Sequence, residues 1–323
     1  MIKLNPKIFK DDIEQEPTRF GFGRGLALAG KENKEIVALC ADLTDSTKIS
    51  DFKKEFPERF IEVGIAEQNM ASLAAGLAAA GKIPFISSYA MFSPGRNWEQ
   101  VRTTICYNNV NVKIAGAHSG VSVGPDGATH QAIEDIAITR VIPNMVVLVP
   151  CDSIETEKAT LAAAKFVGPV YMRFAREKTP VFTTKETPFE IGKAEILREG
   201  KNISIIACGP LVYEALKAAE ILSKEGIETE VINNHTIKPM DKKTILDSIK
   251  KTGCVVTVEE HQAMGGMGSA VCEVLAQEFP VPVELVGVKD RFGESGEPNE
   301  LLKAFGLVAE NIIEAAKKVI KRK

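Results

Sequence analysis

Six short runs rich in β-branched residues, EIVALCA, RFIEVGI, IPFISSY, NVKIAGA, MVVLVP and PVYMRF, recur between Glu35 and Phe174. Stretches of helical length lie before and between them: GRGLALAGK, AEQNMASLAAGLAAAGK, NWEQVRTTICYN, HQAIEDIAITRVI and SIETEKATLAAAKFV. This alternation constrains the fold more than any other feature. A helical crossover returns the chain to the end of the sheet it left, so successive strands run parallel, and near-continuous apolar runs are strands covered on both faces. After Phe174 the stretch AREKTPVFTTKETPFEIGKAEILREGKN is polar and punctuated by proline, which places a domain boundary near Glu186. From Asn202 the pattern resumes with ISIIACG, TEVINNH, CVVTVEEH and PVELVGV separated by helices. The expected fold class is α/β, with two doubly wound parallel-sheet domains, residues 1–186 and 187–323; a chain of 323 residues can bury a core in each.

The net charge of −3 provides no general field for nucleic acid, and the basic tail VIKRK reads as a solvated helix end. The six cysteines are dispersed among apolar neighbours without a CxxC spacing, as buried thiols of a reducing compartment are. MIKLNPKIFKDD lacks the apolar core of a signal peptide, and MASLAAGLAAAG is too short to span a bilayer. A cytoplasmic protein with no membrane partner is expected.

In parallel α/β sheets, ligands bind beyond the carboxyl ends of the strands. The loop HSGVSVGPDGATHQ follows the strand NVKIAGA and precedes a helix expected from about His130; it holds two of the four histidines, His118 and His130, with Asp126. Gly116, Gly120, Gly124 and Gly127 would let this backbone turn sharply and approach a polyhydroxylated or phosphorylated ligand. Glu67 of RFIEVGIAEQNM comes after another strand, at the root of a helix of very small residues, which invites close approach within an assembly. A carboxylate half-withdrawn from water there can share a proton with a ligand nitrogen. GFGRG misses the GxGxxG spacing, has no strand before it, and reads as a helix entry. HQAMGGMGSA can offer amides to an anion but reads more simply as a tight turn, and FGESG is a glycine turn of unassigned role. The chain shows no zinc-ligand spacing, GxSxG elbow or P-loop, which argues against metallohydrolase, α/β-hydrolase and NTPase chemistry.

With CADLTDST, FIEVGIAEQNM, GPDGATHQAIED and FGESG in this order, the chain resembles the C-terminal half of transketolase over nearly its whole length. The resemblance implies a pyrimidine-binding domain followed by the family's C-terminal domain, and thiamine diphosphate as cofactor. Glu67 resembles the glutamate that hydrogen-bonds N1′ of the aminopyrimidine, a proton relay. Tyr89 and Phe92 match aromatics packed against that ring, with the spacing from Phe92 to Arg96 longer than is familiar. His130, also a catalytic candidate, and Asp126 match contacts to the donor sugar hydroxyls. Arg19, Ser46, His118 and Arg176 resemble the group that holds the sugar phosphate, a task for which guanidinium is suited.

The family's GDG motif, which binds the diphosphate and its divalent metal, has no counterpart, since the PDG at Pro125 belongs to the sugar loop. The resemblance therefore implies a partner: an N-terminal transketolase subunit carrying that motif and Mg or Ca, in a two-plus-two (α2β2) assembly acting on sugar phosphates in the pentose phosphate pathway. Two relatives compete. Deoxyxylulose phosphate synthase shares a GIAEQ segment and a similar loop, whereas CADLTDST and the NM after GIAEQ favour transketolase. The β subunit of a 2-oxo acid dehydrogenase also lacks the diphosphate motif, and DGATHQ and FGESG argue against it. A non-catalytic scaffold of the same fold is disfavoured by Glu67, Asp126, His130 and Arg176 standing together.

Overall fold

The computed structural model describes residues 2–323. Its strands are β1 (Gln15–Pro17), β2 (Ile36–Cys40), β3 (Phe60–Glu62), β4 (Ile83–Tyr89), β5 (Lys113–Ala117), β6 (Val146–Leu148), β7 (Val170–Arg173), β8 (Lys178–Pro180), β9 (Glu195–Arg198), β10 (Ile203–Ala207), β11 (Thr229–Asn233), β12 (Thr236–Lys238), β13 (Val255–Gln262) and β14 (Val283–Val288). The helices are α1 (Thr18–Glu32), α2 (Ser50–Glu55), α3 (Glu67–Ala79), α4 (Trp98–Gln100), α5 (Asp135–Arg140), α6 (Ser153–Lys165), α7 (Leu211–Lys224), α8 (Lys242–Thr252), α9 (Met267–Glu278), α10 (Pro298–Ala304) and α11 (Ala309–Ile320).

Two sheets carry the fold, as the alternation requires. The first has the order β12-β6-β7-β5-β4-β2-β3 and the second β14-β13-β10-β11-β9, while β1 and β8 form a separate antiparallel ribbon. Strands β2 and β5 are buried at every position, the signature of helices on both faces. Neither sheet is purely parallel. β9 runs antiparallel to β11 on one edge, and β12, from the second half of the chain, runs antiparallel to β6 on the edge of the first sheet. The amide of Val149 donates to the carbonyl of His235 and that of Gly209 to Val149, so the backbones of the two halves are hydrogen-bonded at this junction.

Three local expectations change. GFGRG is the interior of α1, not its entry, and the short strand β1 does precede it. A Cβ at Gly21 would fall on the carbonyl oxygen of Ser153, and one at Gly25 would lie 2.8 Å from Thr160 Cβ, so these glycines let α1 lie directly on α6. Second, no helix starts at His130; α5 begins at Asp135. The intervening residues are turn and bend: the amides of His130 and Gln131 bond the Gly127 carbonyl, and Ala132 bridges to Ser119, its carbonyl accepting from Gly120 N at 2.7 Å. Third, Gly116 lies inside β5, where Tyr171 crowds it, while Gly120, Gly124 and Gly127 make the turns at positive φ. HQAMGGMGSA is the tight turn its sequence suggests, and the amides of Met267 and Gly268 already donate to the Glu259 carboxylate of β13 at 2.6 and 2.8 Å. That acid fills the place an anion would take.

Among the described residues no helix is long and apolar enough to cross a membrane, and no group of three His, Cys, Asp or Glu side chains could hold a metal. All six cysteines are free, five of them buried.

Candidate active site

The candidate residues gather at the carboxyl ends of the first sheet. Glu67 opens α3 after β3, Tyr89 ends β4, His118 follows β5, Arg176 follows β7, and Arg19 sits in the first turn of α1. Met70, Ala71, Ala74 and Ala75 bury one face of α3, while Leu73, together with Ile65 just ahead of the helix, faces outward.

Glu67 is 2% exposed, and its Oε2 finds no hydrogen-bond partner among the described residues. Buried polar atoms are nearly always paired, so an orphaned carboxylate oxygen marks a place where something else must donate. Its main chain is held in place: the Nδ2 of buried Asn97 donates to the Glu67 carbonyl and to Ser93 Oγ, both at 3.1 Å. Asn97 thus ties the root of α3 to the turn that carries Phe92.

The other candidates form a connected cluster. The Tyr89 ring stacks on His118 at 3.9 Å and lies 6.0 Å from Phe92, and His130 meets Phe92 edge-on at 5.5 Å. Arg19 Nη1 donates to the Ser46 carbonyl at 2.8 Å and approaches His118 Nε2 at 3.2 Å. A guanidinium only donates, so His118 Nε2 is the acceptor and the ring proton sits on Nδ1. That Nδ1 is buried and unpartnered among the described residues, as is Arg19 Nε. Burial, then the charges of Arg19, Arg176 and His130, push the His118 imidazolium down to about 3, and burial and Arg176 hold the Arg19 guanidinium below its usual range. The cluster therefore pairs a neutral histidine donor with the Arg19 guanidinium, whose Nε has no acceptor among the described residues. Such chemistry suits an anionic group.

The structure brings Arg19, Ser46, His118, Arg176, Tyr89, Phe92 and His130 together, with two qualifications. Ser46 contributes its carbonyl rather than its hydroxyl to Arg19, and Asp126 is exposed, reached by Arg176 Nη1 only at 3.9 Å. Arg176 Nη1 also donates to Val123 O at 2.5 Å, and His130 Nδ1 lies 2.8 Å from Thr129 Oγ1, which leaves its Nε2 free to face a ligand.

Two positions escape the sequence reading. Asn97 is one. Gln131 is the other: its Nε2 donates to the carbonyls of Val121, Gly124 and Glu294, pinning the loop across its own mouth and onto FGESG. The sequence signal was present, since Gln131 closes the THQ of the loop, but its partners are main-chain groups that no side-chain pattern reveals.

Residues 15–181 match the transketolase pyrimidine-binding domain and residues 192–312 the transketolase C-terminal domain. The chain belongs to the transketolase family. A protein of Methanocaldococcus jannaschii, described as a candidate transketolase C-terminal section, is 47% identical over 93% of this chain and 96% of its own length. A 6-deoxy-6-sulfo-D-fructose transketolase subunit of a Clostridium species is 44% identical over 92% of each chain. A solved split-gene transketolase chain, described as an inactive β4 tetramer, aligns with TM-score 0.89 and 48% identity over 95% of this chain and 99% of that one. This transketolase chain thus corresponds to the C-terminal section of the family's fold, and the family depends on thiamine diphosphate.

Proposed function

We propose that this chain is the C-terminal subunit of a split transketolase that moves a two-carbon ketol unit from a ketose phosphate to an aldose phosphate, together with a partner carrying the diphosphate and metal motif. One observation carries the reading: the buried, unpartnered Oε2 of Glu67 at the root of α3. It fits the protonated ring nitrogen of an aminopyrimidine, which would complete its hydrogen bonding. The missing GDG motif supports a partner that supplies the diphosphate site with its Mg or Ca. The neighbouring split-gene chain, inactive as a β4 tetramer, supports that division of labour in an α2β2 enzyme.

Thiamine diphosphate, when bound, would supply the nucleophilic carbon that takes up the ketol unit. This chain's residues do the rest. Glu67 holds or releases a proton at the pyrimidine ring nitrogen. Tyr89 and Phe92 offer flat faces to that ring. His130 Nε2 is placed to exchange a proton with a donor hydroxyl, with Asp126 at the loop's exposed edge. Arg19, His118 Nδ1–H and Arg176 grip the anionic end and orient the reacting carbon, and the Ser46 carbonyl fixes Arg19.

Assaying the chain mixed with an N-terminal partner tests the reading. With thiamine diphosphate and Mg or Ca, transfer from xylulose 5-phosphate to ribose 5-phosphate is expected from the mixture and not from this chain alone. A parallel arm with 6-deoxy-6-sulfofructose separates a phosphate-specific from a sulfonate-specific site. Absence of thiamine-dependent transfer from every donor would refute the proposal.

A further inference from the structure

The sugar loop is held by the second domain as well as by its own. The amide of Ser122, at the start of the short helical turn Val121–Asp126, donates to Glu260 Oε1 at 2.6 Å. Glu260 lies near the end of β13, is 3% exposed, and its own carbonyl accepts from Arg173 Nη2 at 2.7 Å. Arg173 in turn pairs with Asp135 at 2.8 Å and reaches the Ala132 carbonyl at 3.3 Å, so the loop's two flanks share one buried network.

The approach is closer still at the glycines. A Cβ on Gly120 would collide with the Glu260 carboxylate, one on Gly127 would lie 2.6 Å from Ser295 Oγ, and one on Gly124 would lie 3.1 Å from Pro298 Cγ. All three have positive φ, so a side chain would strain the backbone at each, and at Gly120 and Gly127 it would also clash. FGESG thus has a role. It is the counterpart surface against which the loop's glycines seat, and Gln131 bonds the Glu294 carbonyl across the same seam.

We propose that the second domain is the template for the donor-sugar loop, with Glu260 as its positioning residue. This rests on the transketolase reading above for what the loop binds. Glu260 acts through the main chain of the loop. It fixes the Ser122 amide and hence the path that presents Asp126, His130 and the Val123 carbonyl holding Arg176.

The test compares wild type with Glu260→Ala, Glu260→Gln and Gln131→Met in two assays. Hydrogen exchange on this chain alone reads the Ser122 amide: protection should fall about tenfold or more in Glu260→Ala, where a buried N–H loses its acceptor, and stay near wild type in Glu260→Gln, which keeps an amide oxygen there. Steady-state kinetics of the assembled enzyme should show donor KM raised about tenfold in Glu260→Ala and Gln131→Met, with thiamine diphosphate affinity unchanged and Glu260→Gln close to wild type. Wild-type exchange and donor KM in Glu260→Ala would overturn the inference, and so would loss of cofactor affinity in parallel with donor affinity. Should the alanine variant not fold, Gln131→Met and Glu260→Gln decide the same question. If wild type transfers no ketol unit, the functional reading fails while the exchange data still decide whether Glu260 templates the loop.

Discussion

Replacing Glu155 by glutamine measures what one buried charge does to this fold. Glu155 stands in the first turn of α6, 2% exposed, and accepts from the Cys151 amide and from Asn233 Nδ2, both at 2.7 Å. Burial, then the neighbouring Asp152 carboxylate, pushes its carboxyl from 4.5 up to about 7. A shift of 7 − 4.5, at 1.36 kcal/mol per unit, corresponds to about 3 kcal/mol. Because the folded value is raised, the native chain holds an extra proton between the two values. Stability from this group is complete below about pH 4.5, falls as pH rises through the window, and is flat above about pH 7.

Glutamine keeps an oxygen for the Cys151 amide, and its Nε2 can donate to Asn233 Oδ1 once that amide turns over. That Oδ1 has no present partner among the described residues. Glu155→Gln should therefore be more stable than wild type at pH 8 by up to about 3 kcal/mol, a rise in Tm of about 5 °C, and nearly equal to it at pH 4.5. Scanning calorimetry at the two pH values is the assay. A lower Tm for the variant at pH 8, or the same difference at both pH values, would refute the reasoning.

Three further outcomes are expected. Gly21→Ala, which drives a methyl into the Ser153 carbonyl, should cost about 1–3 kcal/mol of stability by denaturant unfolding, where an ordinary helix glycine would gain from alanine. Glu67→Gln should lower thiamine-dependent turnover by about 10²–10⁴-fold while leaving the urea midpoint nearly unchanged. His118 should remain the neutral Nδ1–H tautomer at pH 6 by ring nitrogen chemical shift. Its folded value lies below the unfolded one, so the stability tied to its neutrality is complete above about pH 6.5 and is lost as pH falls toward about 3.

The strand and helix order was legible because periodicity reports burial directly: the fully buried β2 is a continuous apolar run, and β5 is one after the buried Lys113. The antiparallel edges β9 and β12 were not, since a short edge strand's direction is decided by the neighbour it meets. GFGRG misled because glycine usually breaks helices, whereas here backbone contact with α6 outweighs its poor propensity. The helix expected from His130 failed because the Ser119–Ala132 bridge and the Arg173–Asp135 pair, both distant in sequence, tie that segment down outside a helix until Asp135. Acidic and aromatic site candidates announced themselves by position after strands. Asn97, Gln131 and Glu260 did not, because each works on a main-chain group that only the fold brings near.

Isothermal titration of thiamine diphosphate with Mg or Ca into this chain, into its N-terminal partner, and into the two mixed tests the half-site most directly. Saturable binding at full stoichiometry is expected only in the mixture, weakened by Glu67→Gln. Tight binding to this chain by itself, or binding in the mixture that is indifferent to Glu67, would contradict it.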